Sequence, residues 1–93
     1  MRVQDVLEAL ADPNRRKILQ LLREKELSVG EIQKHFQITG ASLSHHLNKL
    51  RAADLVLARR QGQNIFYAIH TSVFEDMTRY MAEFFNVGKE KSQ

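Results

Sequence analysis

Thr39-Gly-Ala-Ser-Leu-Ser-His-His-Leu-Asn-Lys-Leu-Arg51 is the stretch whose reading decides the fold. Leu43, Leu47 and Leu50 recur at i, i+4, i+7, the stripe of a helix that buries one side. Thr39 stands where a side-chain oxygen can cap the helix's first free N–H groups. Away from the stripe the helix exposes Gly40, Ala41, Ser42, Ser44, His45 and Asn48, all small or short and polar. Such a face suits a major groove: small residues allow close approach, while hydroxyl, imidazole and amide groups meet base edges. Lys49 and Arg51 follow where phosphates pass. A plain solvated helix can look the same, so the neighbouring elements decide.

Upstream, Ser28-Val-Gly-Glu31 matches the S-x-x-E capping box and opens a helix with Val29, Ile32 and Phe36 inward. With the turn Gln37–Gly40 it forms, with the deciding helix, a helix-turn-helix. Before it, Asp12-Pro13 reads as an N-cap and a first-turn proline. They open a helix with Ile18, Leu19, Leu21 and Leu22 inward, ending near Glu24–Glu26. Val3, Val6, Leu7 and Leu10 mark a short amphipathic first helix. Downstream the period falls to two: Leu55–Arg60 and Asn64–Ile69 flank Gln61-Gly62-Gln63, a hairpin with glycine in its turn. Ser72-x-x-Glu75 opens a last helix to about Asn86. The expected order is α-α-α-α-β-β-α, mainly α with a β-hairpin wing (α+β), with a short strand near Leu27 available to pair with the hairpin. That is a winged helix-turn-helix: one domain over residues 1–88, then a polar tail at 89–93.

The 93 residues suffice for one domain. No apolar run approaches the ~18 residues of a spanning helix, so no membrane insertion is expected. No signal-type apolar block opens the chain, and a cytoplasmic location is the expectation. Zero cysteines removes disulfide scaffolds, thiolate metal sites and cysteine nucleophiles together. Residues 13–64 carry ten Lys and Arg against four Asp and Glu, whereas the flanks carry four against seven. A basic middle between acidic ends suggests a surface for a polyanion, most simply double-stranded DNA.

Two clusters carry that charge. Arg59-Arg60-Gln61-Gly62-Gln63-Asn64 sets two guanidinium groups and three amides at the hairpin tip. Arginine is favoured in a narrow minor groove, although charge also protects an exposed edge. Arg15-Arg16-Lys17 opens the second helix, a place where a basic cluster opposes the helix dipole. A bound phosphate would account for that mismatch, and so would a merely solubilising cluster. Arg15, Arg16, Arg51, Arg59, Arg60, Gln61 and Gln63 are therefore the expected backbone and wing contacts.

His45 and His46 point about 100° apart on a helix and cannot chelate one ion together. His46 is expected half-buried and hydrogen-bonded, with His45 outward; His35 and His70 stand isolated. Ser42 and Ser44 lie near His45, but no carboxylate is close in sequence to orient a triad. No enzyme, cofactor or metal site is expected. The last helix carries two apolar stripes, Val73, Met77, Tyr80, Phe84 and then Phe74, Met81, Phe85. One can pack on the domain while the other seeks a partner, unless the small domain wraps both. The expected homodimer interface is Val3, Val6, Leu10, Phe74, Met77, Met81 and Phe85.

Ala9-Leu-Ala-Asp-Pro-Asn-Arg-Arg-Lys-Ile-Leu19, Ser28-Val-Gly-Glu-Ile, Ser42-Leu-Ser-His-His-Leu-Asn-Lys-Leu50 and Gly62-Gln-Asn-Ile-Phe-Tyr67 together resemble the ArsR/SmtB family of winged-helix repressors. The similarity runs from about Val3 to Phe85 and is greatest to the family's autorepressor branch. The resemblance implies a homodimer that binds operator DNA and blocks transcription. It maps the recognition helix onto Ala41–Ala53 and the wing onto Leu55–Ile69, with first and last helices at the dimer interface. Many members release DNA on binding metal. Their third-helix cysteines would fall at Ser28–Ile32, which has none, and Ser72–Phe85 lacks the last-helix histidine. Relief by a sequestering protein, a small-molecule inducer or simply a falling repressor concentration is then the alternative. A protein-interaction module and a metal-responsive repressor with an oxygen and nitrogen site are the competing readings.

Overall fold

The computed structural model describes residues 2–85. Among them the elements run α1 (Val3–Leu10), α2 (Pro13–Glu24), β1 (Leu27–Ser28), α3 (Val29–Gln33), α4 (Gly40–Ala52), β2 (Val56–Gln61), β3 (Asn64–Ile69) and α5 (Thr71–Phe85). This is the winged helix-turn-helix order expected from the sequence, with the short strand at Leu27 present. The expected tail at 89–93 and the end of the domain to 88 lie outside the described residues.

Local chemistry sets most boundaries. The Asp12 carboxylate accepts from the N–H groups of Asn14 at 2.8 Å and Arg15 at 3.2 Å, with Pro13 leading α2. Ser28 and Glu31 form the reciprocal capping box at 2.8 and 3.1 Å. The Thr39 hydroxyl accepts from Ser42 N–H at 3.0 Å, starting α4. At the other end of α4, Asp54 turns left-handed with φ 59°. Leu55 N–H then donates to Leu50 C=O and Asp54 N–H to Arg51 C=O, both at 3.0 Å. Those are the two bonds of a Schellman ending, and its apolar contact is supplied by Leu50 and Leu55, both fully buried.

The three strands order β1-β3-β2, all antiparallel. Gln61 pairs with Asn64, which leaves Gly62-Gln63 as a two-residue loop. Gly62 has φ 63° and Gln63 does not share the positive sign, the pattern of a type II′ turn. Ile18, Leu19 and Leu22 of α2 meet Leu43, Leu47 and Leu50 of α4 in a core closed by Val6, Ile32, Leu55, Val56 and Tyr67. α4 is thus held by its whole apolar stripe.

Four expectations need correction. α3 stops at Gln33, because His35 and Phe36 N–H groups bond three residues back to Ile32 and Gln33. Phe36 therefore lies in the turn, which spans residues 34–39. β2 starts at Val56, since Leu55 belongs to the end of α4. The capping box at Ser72 does not form: α5 starts at Thr71, and its first turn is anchored by Val73 N–H on His70 C=O at 3.1 Å. The His70 ring in turn bonds the Asp54 carbonyl through Nδ1 at 2.9 Å, tying the start of α5 to the end of α4. Finally, Val6 and Met77, expected at a dimer interface, are buried in the domain's own core, while Leu7, expected inward, is 44% exposed.

Candidate nucleic-acid interface

α4 presents the expected face. Gly40, Ala41, Ser44, His45, Asn48, Lys49 and Arg51 are exposed, and Ser42 is half-buried beside its cap. Helical spacing sorts these residues into two ridges. Ser44, Asn48 and Arg51 line a trough with the hairpin residues Gln63, Asn64 and Ile65, and Val29 and Gly30 also line it. His45 and Lys49 stand on the outer ridge. Side chains expected separately on helix and wing are thereby brought to one channel. Asn64 and Gly30 were not among the expected contacts. Asn64 follows a loop whose length only the strand register reveals, and nothing in the sequence marks Gly30.

His46 occupies the opposite side of α4, 7% exposed. Its Nδ1 lies 3.2 Å from Arg15 Nη1 and 3.9 Å from the Asp12 carboxylate. An arginine can only donate, so Nδ1 accepts and the neutral ring carries its proton on Nε2. Burial alone would raise the Asp12 pKa. The N–H groups of Arg15 and Asn14 and the charge of Arg15 outweigh it and hold the carboxyl below its usual value of 3.8.

The basic cluster at the start of α2 is accounted for inside the molecule. Arg15 Nε donates to Ala9 C=O at 2.8 Å and its Nη2 to Glu8 C=O at 3.1 Å. Arg16 Nη1 donates to Leu10 C=O at 2.7 Å. These carbonyls end α1, a helix with no basic residue in its own last turn; that of Glu8 also accepts from Ala11 N–H at 3.2 Å. The two arginines supply the missing cap and face its negative dipole end. Lys17 Nζ donates to His35 C=O at 2.7 Å and lies 4.7 Å from the Phe36 ring centre, pinning the turn. The cluster opposes the dipole of its own helix because it serves the helix before.

Arg59 is likewise engaged. It meets the Glu26 carboxylate through two nitrogens at 2.7 and 3.1 Å, bonds Gln61 at 2.6 Å, and sits 4.8 Å over the Phe66 ring. The bond from Arg59 lowers the Glu26 pKa, and the same bond raises that of Arg59. This strut joins β2 to the residue before β1 and fixes the angle of the wing. On α4 and the hairpin, Lys49, Arg51 and Arg60 form no hydrogen bond or ion pair among the described residues and are free to meet phosphate. No three His, Asp or Glu side chains converge among the described residues to hold a metal ion.

A family model described as "Bacterial regulatory protein, arsR family" matches residues 12–57, from the cap of α2 into β2. The chain is 42% identical over 86 residues to the transcriptional repressor SdpR of Bacillus subtilis, covering 92% of this chain and 96% of that one. It is 33% identical over 72 residues to the arsenical resistance operon repressor of Staphylococcus aureus, covering 77% and 69%. Among solved structures, HlyU from Vibrio cholerae superposes with a TM-score of 0.73 at 31% identity over 89% of this chain and 90% of that one. An ArsR family transcriptional regulator superposes with a TM-score of 0.89 at 26% identity, covering 96% and 98%.

Proposed function

The chain belongs to the arsR family of bacterial regulatory proteins, and from that premise we propose that it is a dimeric repressor of transcription reading an inverted repeat in double-stranded DNA. The observation that carries the reading is the trough between α4 and the hairpin, where Ser44, Asn48, Arg51, Gln63 and Asn64 converge. Hydroxyl and amide groups there can match base edges, and arginine can take either guanine or phosphate. His45 and Lys49 on the outer ridge extend the footprint. Arg60 at the hairpin tip reaches the neighbouring minor groove or backbone. The regulator works in the cytoplasm, where bacterial DNA is.

A two-fold dimer places its recognition helices about one helical turn, ~34 Å, apart or a multiple of it. Repression is relieved by a sequestering protein or a small molecule rather than by a thiolate-bound metal, since the chain contains no cysteine. Selecting bound fragments from the source genome tests the reading. A recovered inverted repeat supports it; recovery of no sequence above background makes the winged helix a protein-interaction module instead.

A further inference from the structure

Tyr67 stands in the central strand β3, paired with Leu27 of β1 and Ala58 of β2, and is 5% exposed. A tyrosine so buried ordinarily gives its O–H to a protein acceptor. Among the described residues no hydrogen bond engages this hydroxyl, yet no side-chain oxygen or nitrogen fully sealed from solvent lacks a partner. The Oη therefore stays in touch with solvent, and the space that Tyr67 lines is the trough between α4 and the hairpin. Apolar groups surround the ring there: Ile65 shares its face of β3, and Val29 and Leu47 line the same space. The polar lining suits an anion. Arg51 is unpaired among the described residues, Asn48 and Asn64 bring amide donors, and no carboxylate lines the trough. Glu31, next to Gly30, is held by Ser28 N–H at 2.8 Å. The trough has a volume of about 420 Å³, against about 30 Å³ for one water, which is room for a stretch of polymer backbone.

Resting on the DNA reading above, we infer that the floor of the trough is a slot for the DNA backbone, where the Tyr67 hydroxyl and the Arg51 guanidinium hold one phosphate of each half-site. A helix in the major groove and a hairpin tip at the neighbouring minor groove stand on either side of one sugar–phosphate strand. At the floor between them lies that strand rather than a base edge. The phenol O–H then donates to a charged acceptor that the protein itself does not supply. Packing already fixes the ring, so little side-chain freedom is lost on binding. Base reading stays with Ser44 and His45 nearer the start of α4. Tyr67 fixes where the protein sits on the duplex and carries no sequence information.

Tyr67→Phe removes the hydroxyl and keeps the ring, so the packing of the core is retained. Its affinity for the selected repeat and for a scrambled duplex should fall alike, by about tenfold or more, the scale of a hydrogen bond to a charged group. The salt slope should stay that of the unmodified chain, because a neutral hydroxyl releases no counterion, whereas Arg51→Gln should reduce it. Methylphosphonate, in which methyl replaces one charged phosphate oxygen, is then placed at each linkage of a half-site in turn. At one linkage it should weaken the unmodified chain about tenfold or more and cost the Tyr67→Phe and Arg51→Gln proteins several-fold less. Each cost is a ratio within one protein, so a partly unfolded variant does not distort it. Unchanged affinity of Tyr67→Phe, a loss confined to one base pair, or methylphosphonate costs equal to those of the unmodified chain at every linkage would each overturn the slot and leave DNA binding standing. Failure of the unmodified chain to bind any duplex overturns the DNA reading and the slot with it.

Discussion

Arg15 Nη1 lies 3.2 Å from His46 Nδ1, so one guanidinium that closes the end of α1 also holds the buried side of α4, the helix proposed to meet DNA. A side chain that looks like a phosphate ligand in the sequence is a structural tie between α1, α2 and α4.

Arg15→Ala is therefore expected to act on stability. It frees the Ala9 carbonyl and leaves buried His46 without its donor, a loss of about 2 kcal/mol. Chemical denaturation reads that loss, while DNA affinity per folded molecule changes little. Unchanged stability with a reduced salt slope of binding would make Arg15 a phosphate contact instead.

The two wing arginines should separate. Arg60→Ala should weaken binding to all sequences alike and reduce the salt slope by about one. Arg59, already neutralised by Glu26, should change the slope less when replaced, and Glu26→Gln should alter DNA affinity through the wing's position. Equal slope changes at Arg59 and Arg60 would mean that the Glu26 pair opens on DNA.

His45→Ala and Ser44→Ala should each relax preference at one base pair, costing about 1–3 kcal/mol against the preferred base. Competition binding against single-substituted duplexes measures this. An unaltered profile for His45→Ala would assign the outer ridge to the backbone, and one for Ser44→Ala would remove the trough from base reading.

Asp12 predicts an acid limb. Its folded pKa lies below the unfolded value, so its contribution is present above 3.8 and is lost as pH falls through the lower folded value. Asp12→Asn keeps a capping oxygen but cannot titrate, so the urea midpoint of the variant should fall less steeply below about pH 4. Parallel acid limbs in the two proteins would place the linkage elsewhere.

Much of the fold was legible because its boundaries are local. Asp12-Pro13, Ser28-x-x-Glu31 and Thr39 each recruit N–H groups within three residues, and the leucine stripe of α4 needs no partner to be recognised. What escaped depends on distant groups. Arg15 and Arg16 answer carbonyls six or seven residues away on another helix. Glu26 and Arg59 are 33 residues apart, so the wing's neutralised cation is invisible until β1 pairs with β3. Met77 and Phe74 share an apolar helix, and only packing shows which of them the domain claims. The reading face was legible as residue types; its closure into a trough by Asn64 required the register of the hairpin.

The central claim is that α4 and the hairpin bind duplex DNA through Lys49, Arg51 and Arg60, and it is tested most directly by the salt dependence of binding. These three cations of α4 and the hairpin make six in a dimer, so log K against log salt should fall with a slope of about −5. Affinity should drop roughly a thousandfold between 50 and 200 mM salt, with the selected inverted repeat still bound more tightly than a scrambled duplex at every concentration. A slope near zero, or equal affinity for the two duplexes throughout, would contradict the account.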